Sequence, residues 1–339
     1  MLNSRSIDEL FNNQLSQWKL ARDNYKALDE ILIKEVVTDE FLFKVQFNPA
    51  RIRSSGAKID KESIRGRSCF LCRENMPAEQ SGILFGDEED IDREYIIVIN
   101  PYPIFSRHLT IPTLLHTSQL IGGRFSDLIT LAAKFPEYTF FYNGPNSGAS
   151  APDHFHFQAG SRGFLPIEIF FPATTKKSIF KDNFSTVSYI TNYLQGVLAV
   201  ESSSLNENSL LLERIFTLLP VKERQIEPMI NIITWFESEL SGRSETNEKT
   251  KELNEQNSHD KIVTLIFMRE KHRPSHYYAQ GEAKMLISPG AVDLGGVLIT
   301  PLESDFDKVN GELIKEIFNE VCLGEEESQK IISLLKSEL

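Results

Sequence analysis

The chain has 339 residues, which is enough to bury one large hydrophobic core or two medium ones. Its 48 acidic and 36 basic side chains give a formal net charge of −12, which argues against a nucleic-acid partner because such partners require broad basic surfaces. A small phosphorylated ligand needs only a local pocket and is not excluded. The sequence has neither an export signal nor an apolar run of membrane-spanning length, and it has only three cysteines, so we expect a soluble, cytoplasmic protein without membrane contact.

The first predicted element is an amphipathic helix, since apolar residues recur at helical spacing from Ile7 to Leu32. Its polar face carries mixed charge, so we expect it to pack on the body of the protein or on a second copy in a homodimer, and not on a membrane. Two antiparallel strands follow, around residues 35–37 and 41–47, and an Asn-Pro pair ends the second.

A short basic segment comes after these strands. Arg51, Arg53 and Lys58 lie in a stretch with Gly and Ser, in an otherwise acidic chain. Two interpretations are open. Such runs usually form a solvated charged face, but a local cluster can also bind the phosphates of a ligand.

Cys69 and Cys72 form a C-x2-C motif. This spacing is typical of one half of a tetrahedral zinc site, which needs two further ligands. The third cysteine, Cys322, lies far away in an acidic tail of helical pattern, so the remaining ligands would be histidines. The alternative is a pair of buried thiols. A redox pair of the thioredoxin type fits less well, because the motif does not open a helix in a βαβ pattern.

The most informative stretch is His-Phe-His-Phe-Gln at residues 154–158. In a strand its three polar side chains share one face, while Phe155 and Phe157 anchor the other face in a core. The loop at 143–153 is rich in small residues, which lets backbone N–H groups approach an anion closely. Taken separately, the loop could be a tight hairpin connection, and the motif could be an ordinary buried strand with two hydrogen-bonded histidines. Together they predict a phosphate-binding loop beside a nucleophilic histidine.

The run NSGASAPDHFHFQ resembles the histidine triad superfamily, specifically its transferase branch, which has Gln at the third triad position. This branch includes diadenosine tetraphosphate phosphorylase, GDP-L-galactose phosphorylase and galactose-1-phosphate uridylyltransferase. The resemblance implies that His156 attacks the α-phosphorus of a nucleotide and that Gln158 hydrogen-bonds the phosphoryl oxygens. The residues that it places along the substrate's phosphates are Asn143, Ser147, Gly148, Ser150, Arg51, Arg53 and Lys58.

The resemblance also implies a structural zinc ion. His108 matches the histidine that precedes a strand in zinc-containing members of the superfamily, and the first histidine of the HxHxQ motif supplies the last ligand. The implied site would be closed and would fix the strand that carries the nucleophile. Its ligands are Cys69, Cys72, His108 and His154.

The second half of the chain has weaker signals. Residues 288–301 echo residues 100–112, with a proline, a loop and a short strand, but without an HxHxQ motif. A basic turn at 271–273 either reaches the substrate's phosphates or is an exposed hairpin. The further predicted elements are a helix at 227–240, a surface loop at 241–260, strands at 263–268, 276–279 and 284–287, and helices at 305–321 and 325–338.

The predicted fold is α+β, with two histidine-triad-like units, each an antiparallel sheet with packed helices, the second degenerate. The predicted limits are 1–170 for the catalytic unit and 171–339 for the second unit. The resemblance implies a nucleotidyltransferase or phosphorylase that acts on a nucleoside diphosphate sugar or a dinucleoside polyphosphate through a covalent nucleotidyl-histidine, with phosphate or a sugar phosphate as acceptor. Two alternatives are a dinucleoside polyphosphate hydrolase and a non-catalytic nucleotide-binding protein. Gln158 argues against the first and an intact His156 against the second.

Overall fold

A computed structural model of the chain describes residues 3–39, 41–57, 60–86, 90–238 and 260–339. The predicted surface loop, apart from Asp260, and Lys58 lie outside these ranges. The strands are β1 (Leu32–Thr38), β2 (Phe41–Phe47), β3 (Gly82–Gly86), β4 (Glu94–Ile99), β5 (Leu109–Pro112), β6 (Tyr138–Asn143), β7 (His156–Ser161), β8 (Lys176–Lys181), β9 (Ser185–Ile190), β10 (Val197–Ser202), β11 (Ile230–Glu237), β12 (Lys261–Met268) and β13 (Val297–Thr300). The helices are α1 (Ser4–Gln17), α2 (Lys19–Ala27), α3 (Ile52–Ser55), α4 (Lys61–Arg65), α5 (Phe125–Lys134), α6 (Pro166–Phe170), α7 (Leu205–Leu218), α8 (Ser275–Tyr278), α9 (Ala291–Leu294), α10 (Glu303–Lys308), α11 (Gly311–Val321) and α12 (Glu325–Glu338).

Ten strands form one antiparallel sheet in the order β3-β4-β5-β7-β6-β11-β12-β10-β9-β8. Its two halves share one connectivity, because β8, β9, β10, α7, β11 and β12 follow one another as β3, β4, β5, α5, β6 and β7 do. The two five-stranded units meet where β6 pairs with β11. The predicted α+β fold with two antiparallel units is therefore confirmed.

The register of the sheet identifies the counterpart of the HxHxQ strand. Phe141 and Ile233 face each other at the junction of the units. Gln158 on β7 lies beside Phe141, and Leu265 on β12 lies beside Ile233. Val263 of the second unit consequently stands where the first unit has its central histidine. The second unit has lost the polar motif and is degenerate.

A smaller sheet has the order β1-β2-β13, with β1 antiparallel to β2 as predicted and β13 parallel to β2. The echo at 288–301 thus contributes a strand to this sheet and is not the structural counterpart of 100–112. The two segments are similar only in a proline and a loop, and such turn residues occur in many unrelated turns. The limits 1–170 and 171–339 stay a prediction, and the paired strands β2 and β13 lie on opposite sides of that boundary.

One hydrophobic core lies on each face of the large sheet. Phe140 and Tyr142 of β6 pack in the core that includes α1, α2, α5, α7 and α12, whereas Phe141 packs in the core that includes the small sheet, α6, α9, α10 and α11. Phe155 and Phe157 belong to the first core. Side chains alternate between the faces of a strand, so His156 and Gln158 lie on the second face, as the sequence predicts.

Several predicted helices differ in their limits. The N-terminal helix breaks at Trp18, whose backbone is extended, and gives way to β1 at Leu32. The helix predicted at 305–321 is divided between α10 and α11. None of the helices in the described part of the chain is both long enough and apolar enough to cross a membrane.

The helix predicted at 227–240 is wrong, since this segment forms β11 in the middle of the sheet. A central strand is apolar on both faces, so its sequence does not alternate between polar and apolar residues. The apolar residues of such a strand can also fit the period of a helix. The strand predicted at 276–279 is wrong as well, because it coincides with α8, and residues 284–287 form no strand.

Candidate active site

A cavity of about 470 Å³ opens on the face of the large sheet that carries the polar residues of the HxHxQ motif. Both halves of the chain line it. Its polar residues include Arg51, Asn143, Ser150, His156, Gln158, Ser288 and Asp293. Its apolar residues include Trp18, Phe70, Met76, Pro77 and Ile99. A cavity lined by both polar and apolar residues suits a ligand that has both phosphates and a ring.

His156 is 4% exposed and lines this cavity. Its Nδ1 lies 2.9 Å from the carbonyl oxygen of His154, so Nδ1 carries the proton and donates it to that oxygen. Burial lowers the pKa of His156 to about 4, and the ring is therefore neutral at physiological pH. Its Nε2 has no hydrogen-bond partner among the residues that the structure describes. A neutral imidazole with a free lone pair beside a cavity can act as a nucleophile.

Gln119 holds the backbone of the strand that carries this histidine. Its Oε1 accepts the backbone N–H of His156 at 2.7 Å, and its Nε2 donates to the carbonyl oxygens of His156 and Asn143, each at 3.0 Å. The Gln119 side chain thus takes the place of backbone hydrogen bonds between β6 and β7 at the end where the two strands separate. Sequence reasoning missed Gln119, and no local signal marks it, because it lies in an irregular loop.

Gln158 also lines the cavity, and a second histidine orients it. Nδ1 of His108 accepts the backbone N–H of Ile104 at 3.3 Å, so its proton is on Nε2, which donates to Oε1 of Gln158 at 3.0 Å. Burial lowers the pKa of His108 to about 3 and keeps this ring neutral. The NH₂ group of Gln158 is therefore turned away from His108 and can donate to a phosphoryl oxygen in the cavity.

His108 is consequently not a metal ligand, and that prediction is wrong. Leu109 pairs with Ala159 on the antiparallel strand β7, which puts His108 level with Gly160. His154 lies six residues before Gly160, a separation of about 20 Å along a strand. The antiparallel register thus places His108 at the wrong end of β7 to reach the cysteines.

His116 takes its place beside the predicted cysteines. Nδ1 of His116 lies 3.1 Å from Sγ of Cys72, and Nδ1 of His154 lies 3.3 Å from Sγ of Cys69. The four ligand atoms all lie within 4.8 Å of one another. Sequence reasoning missed His116, because its position depends on the antiparallel pairing of β5 with β7, which no local pattern shows.

The donor set fits a structural zinc ion, for which two thiolates and two imidazoles are a common combination. Nε2 of His154 donates to the carbonyl oxygen of Thr113 at 2.9 Å, so the lone pair of Nδ1 is directed at the sulfur atoms. Burial raises the pKa of the Cys72 thiol to about 12, and a bound cation would favour the thiolate instead. A metal here would tie the C-x2-C loop, the loop after β5 and the residue before β7 together.

The loop at 143–153, which was predicted to bind phosphates, reaches the cavity in part. Asn143, Gly148 and Ser150 line the cavity, whereas Ser147 is fully buried and does not. A contact of these residues with phosphates stays a prediction. Gly148 has φ +95°, and a Cβ atom there would lie 2.7 Å from Cα of Gly290. A glycine is therefore required where the loop passes the segment before α9.

Arg51 lines the cavity, and its Nη1 donates to the carbonyl oxygen of Tyr102 at 2.8 Å. Burial lowers the pKa of Arg51 to about 10, which leaves the guanidinium charged at physiological pH, and nearby Asp293 favours that charge. Arg53 lies on the short helix α3, whose backbone alone is described at this position. Asp293 was not predicted from the sequence, and burial raises its pKa to about 6.

The basic turn at 271–273 forms no hairpin and does not itself line the cavity, but Arg273 contacts two residues that do. Nε of Arg273 donates to Oγ of Ser288 at 2.9 Å, and its Nη2 donates to the carbonyl oxygen of Ala57 at 2.8 Å. Ser288 and Ala57 both line the cavity. Arg273 thereby joins the basic segment to the second half, and a contact with phosphates stays a prediction.

A buried carboxyl group, Glu227, lies behind Gln119. Its Oε2 accepts the N–H of Ile121 at 2.9 Å, and its Oε1 lies 2.6 Å from the hydroxyl of Tyr142, which is 2.9 Å from the carbonyl oxygen of Gln119. A protonated carboxyl satisfies both contacts of the phenol, because it donates to the phenol while the phenol donates to Gln119. Burial raises the pKa of Glu227 to about 7.

This network predicts a pH-dependent stability. The folded-state pKa lies above the ordinary value of 4.5, so the free energy of unfolding should fall as pH rises from about 4.5 to about 7. We expect Glu227→Gln to be more stable than the wild type by on the order of 3 kcal/mol at pH 8 and to match it near pH 4.5. Urea unfolding at both pH values tests this, with exposed Glu223→Gln as control. An equal difference at both pH values would contradict the assignment.

Comparison with known proteins supports the fold. A family described as a domain of unknown function (DUF4922) matches residues 10–161. None of the curated proteins matches the sequence. The structure is similar to that of the yeast Ap4A phosphorylase Apa2, with a TM-score of 0.56 and 12% identity over 90% of this chain and 97% of that one.

Two complexes of the same yeast enzyme are also similar. The complex with Ap4A gives a TM-score of 0.53 at 12% identity, over 90% of this chain and 97% of that one. The complex with AMP gives 0.52 at 13% identity, over 92% and 97%. At such identity the likeness concerns the fold alone. The resemblance is therefore confirmed for the fold, which this chain shares with the yeast Ap4A phosphorylase Apa2.

Proposed function

We propose that the protein is a nucleotidyltransferase of the phosphorylase type, with His156 as its nucleophile. The observation that carries this proposal is the state of that ring, which is neutral and lines the cavity. Its Nδ1–H donates to a backbone carbonyl, which leaves the lone pair on Nε2. Its substrate is a dinucleoside polyphosphate or a nucleoside diphosphate sugar. The likeness of the fold to that of an Ap4A phosphorylase supports the first.

The reaction proceeds in two displacements. Nε2 of His156 forms a bond to the α-phosphorus while the bond from that phosphorus to the bridging oxygen breaks, and the leaving phosphate takes the electron pair. Phosphate or a sugar phosphate then attacks the same phosphorus, and the N–P bond returns its electrons to the imidazole. Nδ1 keeps its proton throughout, because the carbonyl of His154 accepts it and stabilises the positive charge on the ring.

Two further groups stabilise the charge that develops on the phosphoryl oxygens. The amide of Gln158 donates from one side, in the orientation that His108 fixes. The guanidinium of Arg51 supplies positive charge in the same cavity. Preorganised donors of this kind need no rearrangement as the transition state forms.

A structural zinc ion is the second part of the proposal. Cys69, Cys72, His116 and His154 would hold it, and its role would be to fix the position of β7. The carbonyl that accepts the proton of the nucleophile belongs to one of these ligands, His154. Metal binding therefore supports the geometry of the site without taking part in the chemistry.

The proposal is tested with dinucleoside polyphosphates and nucleoside diphosphate sugars, each with and without phosphate. We expect release of a nucleoside diphosphate that depends on added phosphate, and a labelled protein when the α-phosphorus carries the label. Release of a nucleoside monophosphate without phosphate would indicate the hydrolase instead. Binding without turnover of any substrate would indicate the non-catalytic nucleotide-binding protein.

A further inference from the structure

A buried cation of the second unit lies behind the phosphate-binding loop. Arg269 follows β12 and is 2% exposed. Nη1 donates to Oδ1 of Asn231 at 2.6 Å, and the remaining hydrogen bonds of the guanidinium go to backbone carbonyls. These are the carbonyl oxygens of Pro289, Val321, Lys271 and His272, at 3.0–3.1 Å.

No Asp or Glu among the described residues forms an ion pair with Arg269. A buried charge without an opposite charge in contact with it is stable only where hydrogen bonds satisfy it, and all the hydrogen bonds of Arg269 given above go to neutral oxygens. Its one side-chain partner among the described residues, Asn231, connects it to the cavity.

These bonds continue to the cavity through two carboxamides. Nδ2 of Asn231 donates to Oδ1 of Asn143 at 2.7 Å and to the carbonyl oxygen of Ser147 at 2.5 Å. Oδ1 of Asn143 also accepts the backbone N–H of Ala291 at 2.7 Å. The chain of contacts therefore runs from Arg269 in the second unit to Asn143, which lies at the end of β6 beside the start of β7 at His156.

The donors fix the orientation of both amides. A guanidinium only donates, so the atom of Asn231 that faces Arg269 is its oxygen. The NH₂ group of Asn231 must then face Asn143, and the backbone N–H of Ala291 likewise requires the oxygen of Asn143. The NH₂ group of Asn143 is thus the part left to face the cavity.

We infer that Asn231 and Arg269 are positioning residues, which make Asn143 an N–H donor toward the phosphoryl group that His156 receives. This inference rests on the proposed function. The second unit would then have a role in the site of the first, because Asn231 and Arg269 determine whether the oxygen or the NH₂ group of Asn143 faces the phosphoryl group. The charge of Arg269 also polarises the two amides in the direction that favours an anion.

Asn231→Asp is the sharpest test, since it has the same shape and keeps a partner for Arg269. A carboxylate cannot donate to Asn143, so the amide of Asn143 should turn and present its oxygen to the cavity. We expect affinity for AMP, measured by calorimetry, to fall at least about tenfold, and formation of the labelled nucleotidyl-enzyme to slow by about 10²-fold. Thr234→Val on the same strand, a buried polar residue outside the cavity, is the matched control.

A double-mutant cycle shows whether the effect acts through Asn143. Asn143→Asp can still accept from Asn231 and Ala291 but presents an oxygen to the cavity. In that background Asn231→Asp should weaken AMP binding much less than it does in the wild type. Independent, additive losses would contradict the relay. If Asn231→Asp does not fold, as judged by its melting curve, Asn231→Ala removes the donor without adding a charge and is used in the same cycle.

The outcomes separate this inference from the proposed function. Labelling of Asn231→Asp and AMP affinity equal to those of the wild type would overturn the relay and leave the proposed function intact. A wild type that binds AMP but is never labelled would overturn the proposed chemistry, while weakened AMP binding in Asn231→Asp would still support the relay. A wild type that neither binds AMP nor is labelled would overturn both.

Discussion

Replacing His156 by glycine is expected to abolish labelling of the protein by an α-labelled substrate and to lower turnover on the order of 10³-fold or more. Without the imidazole, the phosphoryl group has no covalent acceptor and the acceptor must attack directly. The fold should survive, because the surrounding strand is held by Gln119 and by the aromatic residues on its other face. Phosphoprotein detection after a single turnover measures the label directly.

His276→Asn is a suitable control, since this histidine of α8 does not line the cavity and should leave labelling unchanged. Metal content and melting temperature of the glycine variant should stay close to those of the wild type. Labelling of His156→Gly at the rate of the wild type would refute the assignment of the nucleophile. Loss of both label and fold would instead call for His156→Asn, which keeps more of the side-chain volume.

Removal of the metal site is expected to have the largest effect on stability. Cys72→Ser and His116→Asn should each lower zinc content well below one ion per chain and destabilise the fold by at least about 3 kcal/mol, because structural zinc contributes to folding directly. Elemental analysis and thermal unfolding of the same samples test this, and a chelator should reproduce the effect in the wild type. Full stability of a metal-free preparation would contradict a structural site.

His108→Asn separates the two candidate ligand sets. If His116 is the ligand, the variant of His108 should keep its zinc and melt close to the wild type, but it should lose turnover because Gln158 is no longer oriented. If His108 were the ligand, that variant would lose zinc and His116→Asn would not. The two interpretations therefore predict opposite results for the same pair of variants.

The sequence by itself determined the central part of the site. Alternation in residues 154–158 is a local property of a strand, so it correctly predicted that the phenylalanines enter one core while His156 and Gln158 face the opposite side. The C-x2-C spacing is also local, and it correctly placed the two cysteines side by side. The small residues of the loop are local as well, and one of them, Gly148, lies at the cavity. The α+β class and a degenerate second unit followed from the same patterns and from the resemblance.

Only the tertiary structure decided which distant residues complete these local motifs. The antiparallel register of β5 and β7 assigned His116 to the cysteines and His108 to Gln158. The pairing of β6 with β11 brought Asn231 to Asn143, and β11 itself was hidden by its burial on both faces. Sequence patterns record the periodicity of single elements, whereas partners across a sheet depend on strand order and register, which arise when the whole core packs.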